Sequence, residues 1–112
     1  MMSFVEYERA AGETANYPTD TYAVSRSYVV LGLNGEAGEV AEKWKKILRD
    51  SDGYLAMDQQ LAIKKELGDV LWYLSRCCYE FGLTLDEVAE ANIEKLRSRK
   101  ERGVIGGSGD DR

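Results

Sequence analysis

The sequence contains no histidine. That removes Ser-His and Cys-His hydrolases, histidine-ligated zinc, and the di-iron bundles built on Glu-x-x-His. The only two cysteines, Cys77 and Cys78, are adjacent, a spacing that builds no disulfide framework. They read most simply as small hydrophobes. Proline occurs once, at Pro18, so long stretches are free of a helix breaker. No apolar run approaches the ~20 residues that span a bilayer, and no membrane partner is expected. The N-terminal run MMSFVEYERA carries acids where a secretory signal has bases followed by an apolar stretch, which predicts a cytoplasmic protein. Basic residues are in the minority. Lys+Arg 15 against Asp+Glu 20 leaves a net charge of −5, which argues against nucleic acid as the main partner, because backbone binding is driven by phosphate neutralisation.

What remains is one domain's worth of sequence, 112 residues at 44% hydrophobic and 31% charged, the usage of an ordinary globular chain. Ser3-Phe4-Val5-Glu6 has capping-box spacing and predicts a short helix from about Ser3 to Ala15. Asn16-Tyr17-Pro18-Thr19-Asp20 ends it, with Thr19 or Asp20 as the next cap. A long helix follows from about Thr21 to Arg49, closed by Asp50-Ser51-Asp52-Gly53. That run has the beginning of a calcium loop but lacks the later ligands, so it reads as a turn. A third helix spans Asp58 to Phe81-Gly82, and Thr84-Leu85-Asp86-Glu87 opens a fourth that stops before Gly103. The expected fold class is all-α, a helical bundle of about four helices completed by oligomerisation. Residues 1–103 form the domain, and 104–112 a Gly-rich tail with no means of burying itself.

The third helix carries a core stripe of Leu67, Val70, Leu71, Leu74, Cys78 and Phe81 at i, i+3, i+4 spacing. Glu66, Asp69, Tyr73 and Glu80 fall within about 60° of one another beside that stripe. The second helix holds Gly32, Gly35 and Gly38 in its interior, each costing ~1 kcal/mol relative to alanine. Three such residues predict a close helix–helix approach, the alternative being a weak or broken helix.

Two acidic pairs carry the chemistry. Glu36-Ala37-Gly38-Glu39 and Glu66-Leu67-Gly68-Asp69 each present two carboxylates at i, i+3 on one helical face. If the helices pack antiparallel, four carboxylates converge, and their repulsion calls for cations between them. Oxygen ligands without histidine point to magnesium, with manganese as a substitute. Magnesium held by carboxylates is the usual companion of nucleotide phosphate. The bland alternative is salt-bridge decoration, such as Glu39 with Lys43.

The chain resembles the MazG-type nucleoside triphosphate pyrophosphohydrolases of the all-α NTP pyrophosphatase superfamily. Glu-x-x-Glu is followed, after the 26 residues Val40 to Lys65, by Glu-x-x-Asp. Leu31-Gly32-Leu33-Asn34-Gly35-Glu36-Ala37-Gly38-Glu39-Val40 is similar to the first family motif. Glu66-Leu67-Gly68-Asp69-Val70-Leu71-Trp72-Tyr73 is similar to the second, and Asn92-Ile93-Glu94-Lys95-Leu96-x-x-Arg99 to the third. The ending looks like that of small stand-alone bacterial and phage members. The resemblance implies magnesium-dependent hydrolysis of a (deoxy)nucleoside triphosphate to monophosphate and pyrophosphate, in house-cleaning or pool control. It makes Glu36, Glu39, Glu66 and Asp69 the metal ligands and assigns the motif of Asn92, Lys95 and Arg99 to substrate, and it implies a homodimer or homotetramer.

Beside that, the residues themselves suggest further roles. Glu36 is the choice for a catalytic base. Lys43 and Lys46 lie on the face of Glu36 and suit phosphate oxygens, although Lys43 equally suits Glu39. Tyr73 shares the acidic face and suits the nucleobase, whereas Trp72 points into the helix interface. A solvated basic face is the alternative for Asn92, Lys95 and Arg99. Two rival functions stand: a dUTPase-like or phosphoribosyl-ATP pyrophosphohydrolase variant, and a non-catalytic helical module that keeps the acids for metal-stabilised assembly.

Overall fold

In the computed structural model, which describes residues 1–112, the chain forms four α-helices and no strand. They are α1 (Phe4–Glu13), α2 (Tyr22–Ser51), α3 (Met57–Glu80) and α4 (Leu85–Glu101). Ser3 caps α1 in a full capping box: its hydroxyl accepts from the Glu6 amide at 3.1 Å while Glu6 accepts from the Ser3 amide at 3.3 Å. Thr84 caps α4, accepting from the Glu87 amide at 3.1 Å, but Glu87 accepts from the Thr84 hydroxyl rather than its amide, so the expected second capping box is only half formed. At α2 the cap is Thr21 rather than the expected Thr19 or Asp20; it accepts from the Val24 amide at 3.1 Å. The turn after α2 is left-handed at Asp52 (φ 51°) and Gly53 (φ 80°), so the expected turn is present there.

The frame is an antiparallel pair of long helices. Arg26 of α2 donates to the Glu80 carbonyl of α3 at 3.0 Å, Gly32 faces Tyr73, and Lys43 faces Glu66. The partners therefore run in opposite order along the two helices. Gly32 explains the closeness: a Cβ there would overlap the Tyr73 ring. The other two glycines have a different meaning, because nothing lies within 4 Å of a Cβ built at Gly35 or Gly38. The close approach is confined to one position, and the glycines beside Glu36 leave open space.

Helix α1 staples the far end of this pair. Trp72 donates from Nε1 to the Thr14 hydroxyl at 2.9 Å. Tyr17 donates to the Glu80 carboxylate and accepts from Arg76 Nε at 3.2 Å. Glu8 accepts from the Leu85 amide at 2.7 Å, placing a carboxylate on the positive end of α4. Helix α4 touches α1 and α3 and makes no contact with α2. The expected bundle of about four helices is thus not closed within one chain.

Openness shows in the core. Only Ala11, Val29, Ile47, Cys78 and Leu85 are buried hydrophobics. The stripe on α3 is only partly covered, with Leu67 and Phe81 about half exposed, because α4 turns away and leaves α3 packed mainly on α2. The radius of gyration is 17.0 Å, against about 13 Å for a compact chain of roughly this length. No helix is long and apolar enough to cross a membrane.

The tail is unburied, as expected, with only Val104 and Arg112 part-covered, yet it is not free of the helix. Residues 104–112 fold back on α4: Arg112 donates to the carbonyls of Val104 and Ile105, each at 3.0 Å, and Arg102 donates to the Arg112 carbonyl at 2.6 Å. Arginine-to-carbonyl hydrogen bonds hold it in place without burying it.

Candidate active site

The seam between α2 and α3 gathers carboxylates. Glu36 from α2 and Glu66 and Asp69 from α3 have carboxylate oxygens within 4.8 Å of one another. Glu36 and Glu66 are part-buried, and Asp69 is exposed. Two like charges at that separation repel by between about 1 kcal/mol in bulk water and about 3.5 kcal/mol in partly dry surroundings. The effect is visible at Glu36, whose pKa is raised by burial first and then by the charges of Asp69, Glu66 and Glu39. A divalent cation reverses that cost, and an all-oxygen, part-solvated donor set suits magnesium or manganese. The residues fit such an ion.

Glu39 stands outside this group, exposed on α2. Three residues of helix turn about 300°, so with Glu36 aimed into the seam Glu39 lies about 60° round the cylinder, toward solvent. Glu66 and Asp69 straddle the seam, and both reach Glu36.

Lys43 approaches Glu66 Oε1 at 3.8 Å rather than pairing with Glu39, and Lys46 sits 3.5 Å from Glu42. Both lysines line a cleft of about 170 Å³ between α2 and α3 with Ile47, Asp50, Gln59 and Ala62. The cleft continues the seam from the triad toward the end of α2. Positive charge therefore adjoins the acids along one line.

An aromatic wall adjoins the acids through Tyr73. Its ring packs against Gly32, meets Trp72 edge-on at 4.9 Å and lies 6.4 Å from Tyr28. Tyr28 stacks on Tyr17 at 5.4 Å. Burial raises the Tyr73 pKa, followed by the neighbouring Tyr28 phenol and the negative charges of Glu36 and Asp69. Burial likewise raises Tyr7, with Asp69 adding to it. Of these tyrosines only Tyr73 is marked in the sequence, by its place on the acidic face of α3. Tyr7, Tyr17 and Tyr28 carried no spacing signal, since they come from α1, the loop after it and α2, and only the fold assembles them.

The third motif is elsewhere. Asn92 is exposed, Lys95 lies 3.3 Å from Asp110, and Arg99 is buried under the tail. Within one chain none of the three is hydrogen-bonded or ion-paired to the triad. Nor is Arg99 on a solvated basic face. Cys77 and Cys78 are free thiols, part-buried and buried, with pKa values raised by burial. They pack as small hydrophobes.

Comparison with known proteins bears on this seam directly. The chain is similar to the "Gene 37 protein" of Mycobacterium phage L5, 48% identical over 109 residues covering 95% of this chain and 96% of that one. No solved structure matches it. Residues 25–104 match the MazG nucleotide pyrophosphohydrolase domain, a span that holds both acidic pairs, the lysine cleft and the whole of α4. With that span covering most of the sequence and the carboxylates meeting across its two longest helices, the chain belongs to the MazG nucleotide pyrophosphohydrolase family.

Proposed function

We propose that the protein hydrolyses (deoxy)nucleoside triphosphates to nucleoside monophosphate and pyrophosphate with magnesium as cofactor, manganese substituting, in nucleotide-pool control or house-cleaning. The observation that carries this is the meeting of Glu36, Glu66 and Asp69 within a MazG domain. Magnesium held there supplies positive charge against the phosphate chain and acidifies water. Glu36, Glu66 and Asp69 hold the ion, and Glu39 completes the set from the solvent side. Glu36, aimed into the seam beside Glu66 and Asp69, is the group assigned to take a proton from the attacking water. Lys43 and Lys46 neutralise phosphate oxygens from their cleft. Tyr73, backed by Tyr28, lies on the side where the base is received. One water is consumed and one phosphoanhydride bond breaks, leaving monophosphate and pyrophosphate.

The same reading includes a homodimer or homotetramer. A large apolar surface supports it, with Leu31 71% exposed and Leu48 and Leu67 each more than half exposed. It is also supported by the separation of Asn92, Lys95 and Arg99 from the triad, which a neighbouring copy remedies if it brings its own α4 to the seam.

The test is pyrophosphate release from a panel of normal and modified triphosphates, with and without magnesium. Release of pyrophosphate and monophosphate in equal amounts, dependent on the ion, supports the proposal. Release confined to dUTP or to phosphoribosyl-ATP moves the protein to a neighbouring specificity. Magnesium binding without any release identifies a metal-stabilised module instead.

A further inference from the structure

Arg99 is the anomaly of α4. Its side chain is 5% exposed, yet Nε has no hydrogen-bond partner, a costly state for a buried charged donor. Every hydrogen bond its guanidinium makes runs from Nη2 to the tail: to the Gly109 carbonyl at 3.3 Å, the Asp110 carbonyl at 2.6 Å and Asp110 Oδ1 at 3.5 Å. Lys95, one turn earlier, reaches the same carboxylate oxygen at 3.3 Å. Asp110 is itself 86% exposed. Lys95 first, then Arg99, lowers its pKa. The backbone reverses at Gly109 with φ 86°, a conformation that glycine adopts without strain and that delivers Asp110 to the two cations.

A lysine and an arginine one turn apart, with a donor left over, form a receptor for phosphate oxygens. We propose that Asp110 is a resident counter-anion on this receptor. A di- or triphosphate competes with it, and the tail acts as a strap that lifts when phosphate binds. Displacement exchanges one carboxylate for several phosphate oxygens and offers Arg99 Nε the acceptor it lacks. The nucleotide identity of the ligand rests on the hydrolase reading above; the competition does not. Because the receptor is open only when the strap is lifted, its apparent affinity is reduced by the open fraction.

The experiment titrates inorganic pyrophosphate into the full-length protein and the Asp110→Asn variant, by calorimetry in excess chelator. Without divalent ions the carboxylate triad repels the probe, and the cleft of Lys43 and Lys46 is the same in both proteins, so the difference between them reports α4. The variant is expected to bind on the order of threefold to tenfold more tightly than the wild type. In the wild type, saturating pyrophosphate is expected to speed hydrogen exchange at the Gly107 amide, which donates to the Val104 carbonyl in the closed strap. Equal affinities, weaker binding by the variant, or no binding by either protein overturns the proposal, as does unchanged exchange on saturation. Pyrophosphate release from triphosphates with magnesium is read separately. If the strap fails, that release persists; if the hydrolase reading fails, release is absent while the titration still decides the strap.

Discussion

The α2–α3 seam and the α4–tail region handle charge in opposite ways. At the seam three carboxylates are forced together, and Lys43 reaches only Glu66, from 3.8 Å. On α4 the cations Lys95 and Arg99 are met by an anion from the same chain. The first region is a charge imbalance that only an external ion relieves. The second is balanced at rest, so any ligand must compete with what is already bound. A cluster of like charge and a self-neutralised pair are both polar in sequence, but they make different demands on a ligand.

Chelation should break the contrast most completely. Removing divalent ions is expected to abolish triphosphate hydrolysis while circular dichroism keeps its helical signal, since Val29, Ile47, Cys78 and Leu85 pack without the ion. Substantial hydrolysis in excess chelator contradicts the metal role. Next in size are the triad acids. Glu36→Gln and Asp69→Asn should each lower kcat by ~10²-fold or more, in keeping with the several kcal/mol a metal supplies. Glu39→Gln, outside the group, should lose less than either, by steady-state kinetics. An effect of Glu39→Gln equal to that of Glu36→Gln means the four acids act as one set.

On the α4 side, Lys95→Ala or Asn92→Ala should raise KM with little change in kcat or in magnesium affinity, both read from initial rates at varied nucleotide and metal. Unchanged KM in both variants removes α4 from the site.

The glycines sharpen the comparison at the level of packing. Gly32→Ala should lower stability by about 1–2 kcal/mol, because overlap with the Tyr73 ring outweighs the helix-propensity gain. Gly38→Ala, with open space around it, should raise stability by about 0.5–1 kcal/mol. Chemical denaturation of both variants measures the pair.

The smallest expected effect is a pH difference. A carboxyl whose folded pKa is raised stabilises the fold below its unfolded value and loses that contribution as pH rises through the folded one. Metal-free wild type should therefore lose stability relative to Glu36→Gln across that interval, and magnesium should erase the difference. Parallel melting profiles for the two proteins would exclude repulsion at Glu36.

Much of this was legible in the residues. The capping box at Ser3, the N-cap at Thr84, the turn at Asp52-Gly53 and the apolar periodicity of α3 mark the elements, because those signals are local. The antiparallel meeting of Glu36 with Glu66 and Asp69 followed from spacing plus one packing assumption, and Gly32 marked where the packing is tight. What escaped was set by rotation and by distance along the chain. The i, i+3 rule puts Glu39 beside Glu36 but does not say which of the two aims into the seam. The aromatic wall draws Tyr17, Tyr28 and Tyr73 from three segments with no common period. The tail is unburied as its Gly-rich run implies, but its docking on α4 was not legible, because its anchors are carbonyls and one carboxylate rather than side-chain hydrophobes.

The most direct test of the central claim is turnover of Glu66→Gln against Glu42→Gln at saturating magnesium and nucleotide. Both remove one negative charge from the same pair of helices. Glu66 lies in the triad, while Glu42 pairs with Lys45 and Lys46 at the surface. The account predicts a loss of ~10²-fold or more for Glu66→Gln and a near-wild-type rate for Glu42→Gln. A Glu66→Gln protein that releases pyrophosphate as fast as the Glu42→Gln protein would contradict it.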